Sequence, residues 1–199
     1  MNLLLLSIVL AVIAVWTSIY FLRAREASAR DAGTQTAAPG QRAIFEAAGS
    51  PFLGHAIFSE ADWDFIHSVN LKEVFFCCQN GARLMRKTGG GRIVNISSLG
   101  GLRPWAEHAH YCASKAGVIM LTRALSKAFA PQITVNSVAP GVIPFGDEDE
   151  RTGRLICATP AGRAGTADEI ADAVVFLASG MARAITGQCL DVNCGEYHH

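Results

Sequence analysis

The sequence lacks an excess of charge of either sign. Its 199 residues carry 17 Lys and Arg against 17 Asp and Glu, so the formal net charge is zero. No basic surplus is available to neutralise phosphates, which argues against a nucleic acid partner. Charged residues are also few, at 17 %, while hydrophobic residues make up 50 %. This composition excludes an extended disordered chain and predicts a packed core.

Paired cysteine spacing is lacking as well. None of the six cysteines forms a CxxC pair, and this argues against a structural metal site or a secreted disulfide scaffold. The sequence therefore predicts no metal centre. The cysteines are Cys77, Cys78, Cys112, Cys157, Cys189 and Cys194.

The first 41 residues differ in composition from the rest. From Leu3 to Leu22 the chain has twenty residues without a charge, which as a helix would span about 30 Å, the hydrocarbon thickness of a bilayer. Three arginines follow, at 23, 25 and 30, and this bias puts the C-terminal side in the cytoplasm. We therefore expect a transmembrane anchor over 1–23 and a flexible linker over 24–41. A cleaved signal peptide ending near Ala29 is the alternative, and a buried core helix is a weaker one.

Strand-like and helix-like patterns alternate over residues 42–199. Short β-branched or apolar runs predict strands, and apolar residues at helical spacing predict helices. Such alternation is typical of an α/β fold with a parallel sheet. Residues 142–166 are rich in Gly and Pro, so we expect an irregular excursion there. The predicted strands are 42–48, 92–97, 132–138 and 188–192, and the predicted helices are 61–86, 109–130 and 167–179.

Tyr111 and Lys115 are four residues apart on the second predicted helix. Side chains at this spacing lie on one helical face, with Cβ atoms roughly 5–6 Å apart. An ammonium at that distance should lower the pKa of the phenol and make it a better acid or base. An ordinary solvated helix face has the same spacing, so the pair alone is a weak signal.

Ser98 gives the pair a context. It follows a predicted strand at its carboxyl end, where ligands bind in open α/β sheets, and it precedes Tyr111 by 13 residues. Its hydroxyl could hold a carbonyl oxygen beside the phenol. A simple cap or turn hydroxyl is the alternative interpretation.

Several longer motifs closely resemble the short-chain dehydrogenase/reductase family, in its order and spacing over about residues 42–195. The resemblance implies an incomplete Rossmann-like, doubly wound parallel sheet of about four strands and three long helices, behind the N-terminal hydrophobic helix. The segment 141–150 looks more like the pteridine-reductase-like branch than like the hydroxysteroid branch. The motifs are WDFIHSVNLKEVFF (63–76), NISSLGG (95–101), YCASKAG (111–117), LTRALSKAFAPQITVNSVAPG (121–141), PAGRAGTADEIADAVVFLAS (160–179) and ITGQCLDVNCG (185–195).

The resemblance also implies roles for individual residues. Tyr111 would be the acid/base, Lys115 would lower its pKa and hold the nicotinamide ribose of NAD or NADP, and Ser98 would orient a small carbonyl or alcohol substrate. Asn70 would support a proton relay. Pro140, Gly141 and Ile143 would line the nicotinamide. Helices 61–86 and 109–130 would form a dimer interface.

One family feature has no counterpart in this sequence, namely an opening strand, Gly-rich turn and helix that hold the cofactor pyrophosphate. We therefore expect an α/β domain over 42–199 without the N-terminal dinucleotide-binding half, and weak cofactor binding. Two hypotheses follow: an oxidoreductase with weak or no activity, or a non-catalytic, membrane-tethered relative that acts as a dimerisation module. A third explanation is an unrelated leader joined to the domain by a wrong start site or a recombination.

Overall fold

The computed structural model describes residues 58–105, 108–144, 150–157 and 159–198. Within them, helices and strands alternate as the sequence predicts. The helices are α1 (Glu60–His67), α2 (Glu73–Arg86), α3 (Ala109–Phe129), α4 (Glu150–Cys157) and α5 (Ala167–Ala178), and the strands are β1 (Gly91–Ile96), β2 (Ile133–Pro140) and β3 (Cys189–Val192).

The first long helix is interrupted in its hydrogen-bond pattern. It begins at Ser59, whose hydroxyl and amide exchange hydrogen bonds with Asp62 in a capping box. Between α1 and α2, Ser68–Lys72 form a π-helix. The predicted helix 61–86 is therefore right in extent and wrong in regularity, because a 3.6-residue period carries no mark of one extra residue in a single turn.

The other long helices match their predicted bounds within a residue. Pro131 ends α3, and Ala130 before it is extended, with ψ 154°, as a following proline requires. At α5, Thr166 and Glu169 form a second capping box.

The three strands form one parallel sheet in the order β1-β2-β3. Gly91 pairs with Ile133 at one end of the first ladder, and Ser137 pairs with Cys189 at the start of the second. Of the four predicted strands, three are present among the described residues. The remaining predicted strand, 42–48, lies outside them.

Apolar side chains cover both faces of the sheet, because successive strand residues point to opposite sides. Ile133 and Val135 of β2 pack with Cys78, Ala82 and Leu125 from α2 and α3. On the opposite face, the next cluster packs α5 against the sheet; its buried members are Ile96, Val138, Ile170, Val174, Leu177 and Ala182. This three-layer arrangement is the doubly wound α/β architecture expected from the sequence.

The expected irregular excursion over 142–166 contains a helix, so that prediction was wrong in part. Helix α4 occupies Glu150–Cys157. The breakers that suggested a loop are concentrated on either side, at Pro144, Gly146, Pro160 and Gly162. Only Gly153 falls inside the helix, and one internal glycine costs about 1 kcal/mol relative to alanine.

No helix among the described residues is long and apolar enough to cross a membrane. The predicted anchor, 1–23, and the predicted linker, 24–41, lie outside that part of the chain. Both stay predictions, as does the cytoplasmic placement of the domain.

Candidate functional site

The candidate site begins at the carboxyl end of β1. Ser98 leaves the strand in an extended conformation and caps the short 3-10 helix Leu99–Gly101, with its Oγ accepting a hydrogen bond from the Gly100 amide at 3.1 Å. The residue is buried. The hydrogen bond from the Gly100 amide therefore confirms the alternative interpretation of Ser98 as a turn hydroxyl. The same hydrogen bond also fixes the position of Ser98 Oγ.

Three polar side chains meet at this point. Tyr111 lies in the first turn of α3, and its phenol is close enough to Ser98 for that side chain to lower the pKa of the phenol. Lys115 lies one turn later, with Nζ 5.8 Å from the centre of the Tyr111 ring. The ammonium also donates to the Ile96 carbonyl at 3.2 Å. A hydroxyl, a phenol and an ammonium therefore surround one small volume at the edge of the sheet, although the catalytic roles expected for them stay predictions.

The electrostatics of Tyr111 differ from the expectation that Lys115 lowers its pKa. Burial raises the pKa of Tyr111 to about 12, while the Ser98 hydrogen bond acts in the opposite direction. Loss of solvation penalises the phenolate more than the surrounding groups stabilise it. The described chain therefore holds a protonated phenol at neutral pH.

Lys115 is held in place by its backbone as well as by its side chain. Ser97 Oγ donates to the Lys115 carbonyl at 2.8 Å. A Cβ on Gly101 would lie 2.8 Å from that same carbonyl carbon and oxygen, so the 3-10 helix packs directly on the backbone of α3. The side chain is only 5 % exposed, and burial lowers the pKa of Lys115 to about 8.

Asn70 approaches the site from the π-helix. It is buried, and its Nδ2 donates to Ser114 Oγ at 3.1 Å. Ser114 Oγ in turn donates to the Tyr111 carbonyl at 2.7 Å. A chain of two hydrogen bonds thus joins Asn70 to the backbone of Tyr111, and π turns in helices occur frequently at functional sites.

Pro140, Gly141 and Ile143 lie at and beyond the carboxyl end of β2, on the same edge of the sheet as Ser98. The Gly141 amide donates to the Val192 carbonyl at 3.0 Å, and a Cβ there would lie 2.7 Å from Asn193 Cα. Gly141 is therefore required for the close approach of two strand ends. The Ile143 side chain packs against the apolar cluster beneath α5. Contact of these residues with a nicotinamide stays a prediction.

Sequence reasoning missed Trp105. Its ring stacks on that of Tyr111, with centroids 6.1 Å apart and planes 6° apart. Gly100 lies against both rings, since a Cβ there would be 3.1 Å from Tyr111 Cε1 and 3.4 Å from Trp105 Cε3. The available signal was position alone, namely a large aromatic residue between Ser98 and Tyr111.

An ion pair beside the same loop was also missed. Arg103 Nη1 lies 3.0 Å from Glu196 Oε1. The Glu196 side chain is 5 % exposed and that of Arg103 is 44 % exposed, so the carboxylate is buried while the guanidinium reaches solvent. Burial raises the pKa of Glu196 despite the arginine. The pair ties the turn after β3 to the loop that carries Trp105, a contact between residues 93 positions apart.

All six cysteines are free thiols. Among the described residues, no group of three or more His, Cys, Asp or Glu side chains is placed to hold a metal ion.

Comparison with known proteins places this geometry in a family. A family model described as enoyl-(acyl carrier protein) reductase matches residues 43–197. The chain is 43 % identical over 142 residues to the 3-oxoacyl-(acyl-carrier-protein) reductase FabG of Salmonella typhimurium, covering 68 % of this chain and 58 % of the relative. It is 40 % identical over 142 residues to nodulation protein G of a Rhizobium species, covering 69 % and 58 %.

A solved structure agrees. The short-chain dehydrogenase/reductase of Brucella melitensis, titled a glucose/ribitol dehydrogenase, superposes with a TM-score of 0.64 at 36 % identity, covering 71 % of this chain and 57 % of that one. The chain thus spans less than three fifths of the length of these relatives. The family match and the shared fold show that the chain belongs to the short-chain dehydrogenase/reductase family.

Proposed function

We propose that the chain is an NAD(P)-dependent oxidoreductase that interconverts a carbonyl and an alcohol, with weak activity. The observation that supports this most is the meeting of the Ser98 hydroxyl, the Tyr111 phenol and the Lys115 ammonium at the carboxyl end of β1. A hydroxyl and a phenol that lie side by side can both approach one carbonyl oxygen. That arrangement suits general acid catalysis on the oxygen.

The protonation state of Tyr111 suits proton donation to a carbonyl that is being reduced. Because burial raises the pKa of Tyr111 to about 12, the phenol carries its proton at neutral pH and can donate it to a developing alkoxide. Ser98 would hold the substrate oxygen, and Lys115 would stabilise the phenolate left behind. A bound nicotinamide cofactor supplies the hydride in this chemistry. The Asn70 and Ser114 hydrogen bonds fix the backbone that presents the phenol.

The nicotinamide half of a cofactor fits the residues present. Lys115 offers a buried donor for ribose hydroxyls, and Gly141 keeps the end of β2 free of a side chain beside Pro140 and Ile143. The sequence contains no G-x-G-x-x-G motif, and glycine-rich motifs of that kind bind the cofactor pyrophosphate. Weak binding of NAD or NADP is therefore expected.

Calorimetric titration of the full chain with NADPH and with NADH tests the proposal. Turnover of a carbonyl panel follows, beginning with a 3-oxoacyl-(acyl-carrier-protein), after which the FabG relative is named. Tyr111→Phe should lower turnover by about 10²-fold, the contribution of one general acid. Tyr197→Phe, a half-buried tyrosine in the C-terminal turn, is the control and should keep full turnover. Binding of neither dinucleotide, or full turnover by Tyr111→Phe, would reject the proposal.

A second candidate function is a dimerisation module that pairs with a second copy of the chain. A groove of about 830 Å³ runs between the α1–α2 stretch and α3 on their outer face. Its lining includes Leu71, Phe75 and Met120, of which Met120 is 60 % exposed. Asp64 and Lys72 also line it, so a two-fold related copy can meet it with opposite charges. The apolar run before residue 23 would tether such a module to a membrane.

Met120→Glu tests this second candidate. A carboxylate at the centre of an apolar interface should weaken self-association by about ten-fold or more, because its burial is unfavourable. Sedimentation velocity of the full chain, in a detergent that solubilises the apolar run, measures the change. Met181→Glu is the matched control, since Met181 is 72 % exposed on the short 3-10 helix after α5. A monomeric wild-type chain, or equal association in both variants, rejects the dimer.

A further inference from the structure

We propose that Trp105 is a positioning residue for Tyr111: its indole holds the phenol ring against Gly100 in the orientation that reaches Ser98. This inference deepens the proposed function and rests on it for its meaning. The structural claim itself concerns only the orientation and accessibility of the phenol.

The contacts around the phenol support a clamp. The Trp105 and Tyr111 rings are nearly parallel, at 6° and 6.1 Å between centroids, within the range of offset aromatic stacks. Gly100 lies within van der Waals reach of both rings, and its amide donates to Ser98 Oγ. Gly100 therefore lies beside both the indole and the phenol, and its amide also orients the Ser98 hydroxyl next to the phenol.

Trp105 is itself held in place. The His108 amide donates to the Trp105 carbonyl at 3.0 Å, and the His108 ring meets the indole edge-on at 6.1 Å. These contacts connect the loop to the first turn of α3, where Tyr111 lies. The indole is therefore held by His108 in addition to its packing beside Gly100.

Without the indole, Tyr111 would keep its place on α3 but would lose the surface on one face of its ring. Rotation about the Tyr111 side-chain bonds toward solvent would then be less restricted. The groups that would still face the phenol are Ser98 from the end of β1, with Lys115 and Cys112 from α3. Desolvation is the largest cause of the raised pKa of this phenol. Removal of the indole should therefore expose the phenol to solvent and increase the rate at which it reacts with an acylating reagent.

Acetylation by N-acetylimidazole, resolved by peptide mass spectrometry on the full chain, tests the proposal without any cofactor. Trp105→Ala should acetylate at Tyr111 about five-fold faster than wild type, the factor that an aromatic stack of about 1 kcal/mol contributes to a two-state equilibrium. The rise in rate with pH should also begin at lower pH. Trp105→Phe, which keeps a ring in the stack, should stay within about two-fold.

Two controls separate positioning from loss of folding. Trp63→Ala removes a tryptophan from a different aromatic stack, the one with His67 on α1, where Trp63 is exposed, and should leave Tyr111 unchanged. Tyr197 is the internal reference in every variant. Equal Tyr111 rates in Trp105→Ala and wild type, or parallel acceleration at Tyr111 and Tyr197, would overturn the proposal. Failure of dinucleotide binding would reject the proposed function and leave this test intact.

Discussion

The Lys115→Met variant should be more stable than the wild-type chain at pH 7 and should turn over no faster than Tyr111→Phe. Burial lowers the pKa of Lys115 from 10.5 to about 8, which corresponds to a cost of roughly 3 kcal/mol for keeping the ammonium in the folded state. Methionine removes that cost and fills a similar volume. It also removes the hydrogen bond to Ile96, worth about 1 kcal/mol, so a net gain of about 1–2 kcal/mol is expected.

The pH dependence identifies the cause of this gain. Between about pH 8 and 10.5 the unfolded chain keeps a proton on Lys115 that the folded chain has released. The free energy of unfolding of the wild type therefore rises with pH across this window, as far as this group contributes. Below pH 8 both states hold the proton and the full cost remains. The advantage of Lys115→Met should be largest below pH 8 and should shrink toward pH 10.5.

Urea denaturation at a series of pH values measures this difference. Lys127→Met is the matched control, because Lys127 lies on the same helix and is exposed. That change should leave the free energy of unfolding within about 0.5 kcal/mol of wild type. A Lys115→Met variant that is less stable than wild type at pH 7, with a difference that does not vary with pH, contradicts the expectation.

Gly101→Ala should destabilise the chain by about 2–3 kcal/mol and should lower any turnover with it. An added Cβ would meet backbone atoms only, the Lys115 carbonyl carbon and oxygen at 2.8 Å and the Ala116 nitrogen at 2.9 Å. Backbone cannot rotate away as a flexible side chain can, so the 3-10 helix and α3 must separate, at a cost typical of overpacking. The separation would also stretch the Ser97 bond to Lys115.

Gly81→Ala is the control for the second prediction. Gly81 lies within α2, and a Cβ there would meet nothing within 4 Å. Alanine should stabilise that helix by about 0.5–1 kcal/mol. Opposite signs for the two glycines, measured by urea denaturation, support the packing argument, whereas a neutral Gly101→Ala would refute it.

The sequence predicted the elements well where one physical signal dominated. The strands that became β1 and β2 are β-branched runs between breakers, and the bounds of α3 follow from apolar spacing and from Pro131. The site could be located because parallel strands place their carboxyl ends at one edge. Because Ser98 follows β1 at that edge, it was expected to lie near Tyr111.

The rest depended on contacts that no local pattern encodes. The raised pKa of Tyr111 results mainly from its burial in the folded chain, whereas the i, i+4 spacing suggested only the nearby ammonium. The contact of Trp105 with Tyr111 and the ion pair of Arg103 with Glu196 form only when the loop folds back, so no local pattern predicts them. Helix α4 was not predicted, because the glycines and prolines before and after it in the chain indicate an irregular segment.

The π-helix at Ser68–Lys72 allows the number of residues beside the site to change without a change in the helices on either side. Its wider turn absorbs one residue locally, so α1 and α2 keep the faces that a regular helix would give them. Loss of a single codon in this stretch would restore the ordinary turn, leave both flanking helices in phase, and shift Asn70 relative to Ser114. Insertion or deletion of a single codon can therefore create or remove the hydrogen bond between Asn70 and Ser114, while the surrounding helices stay almost unchanged.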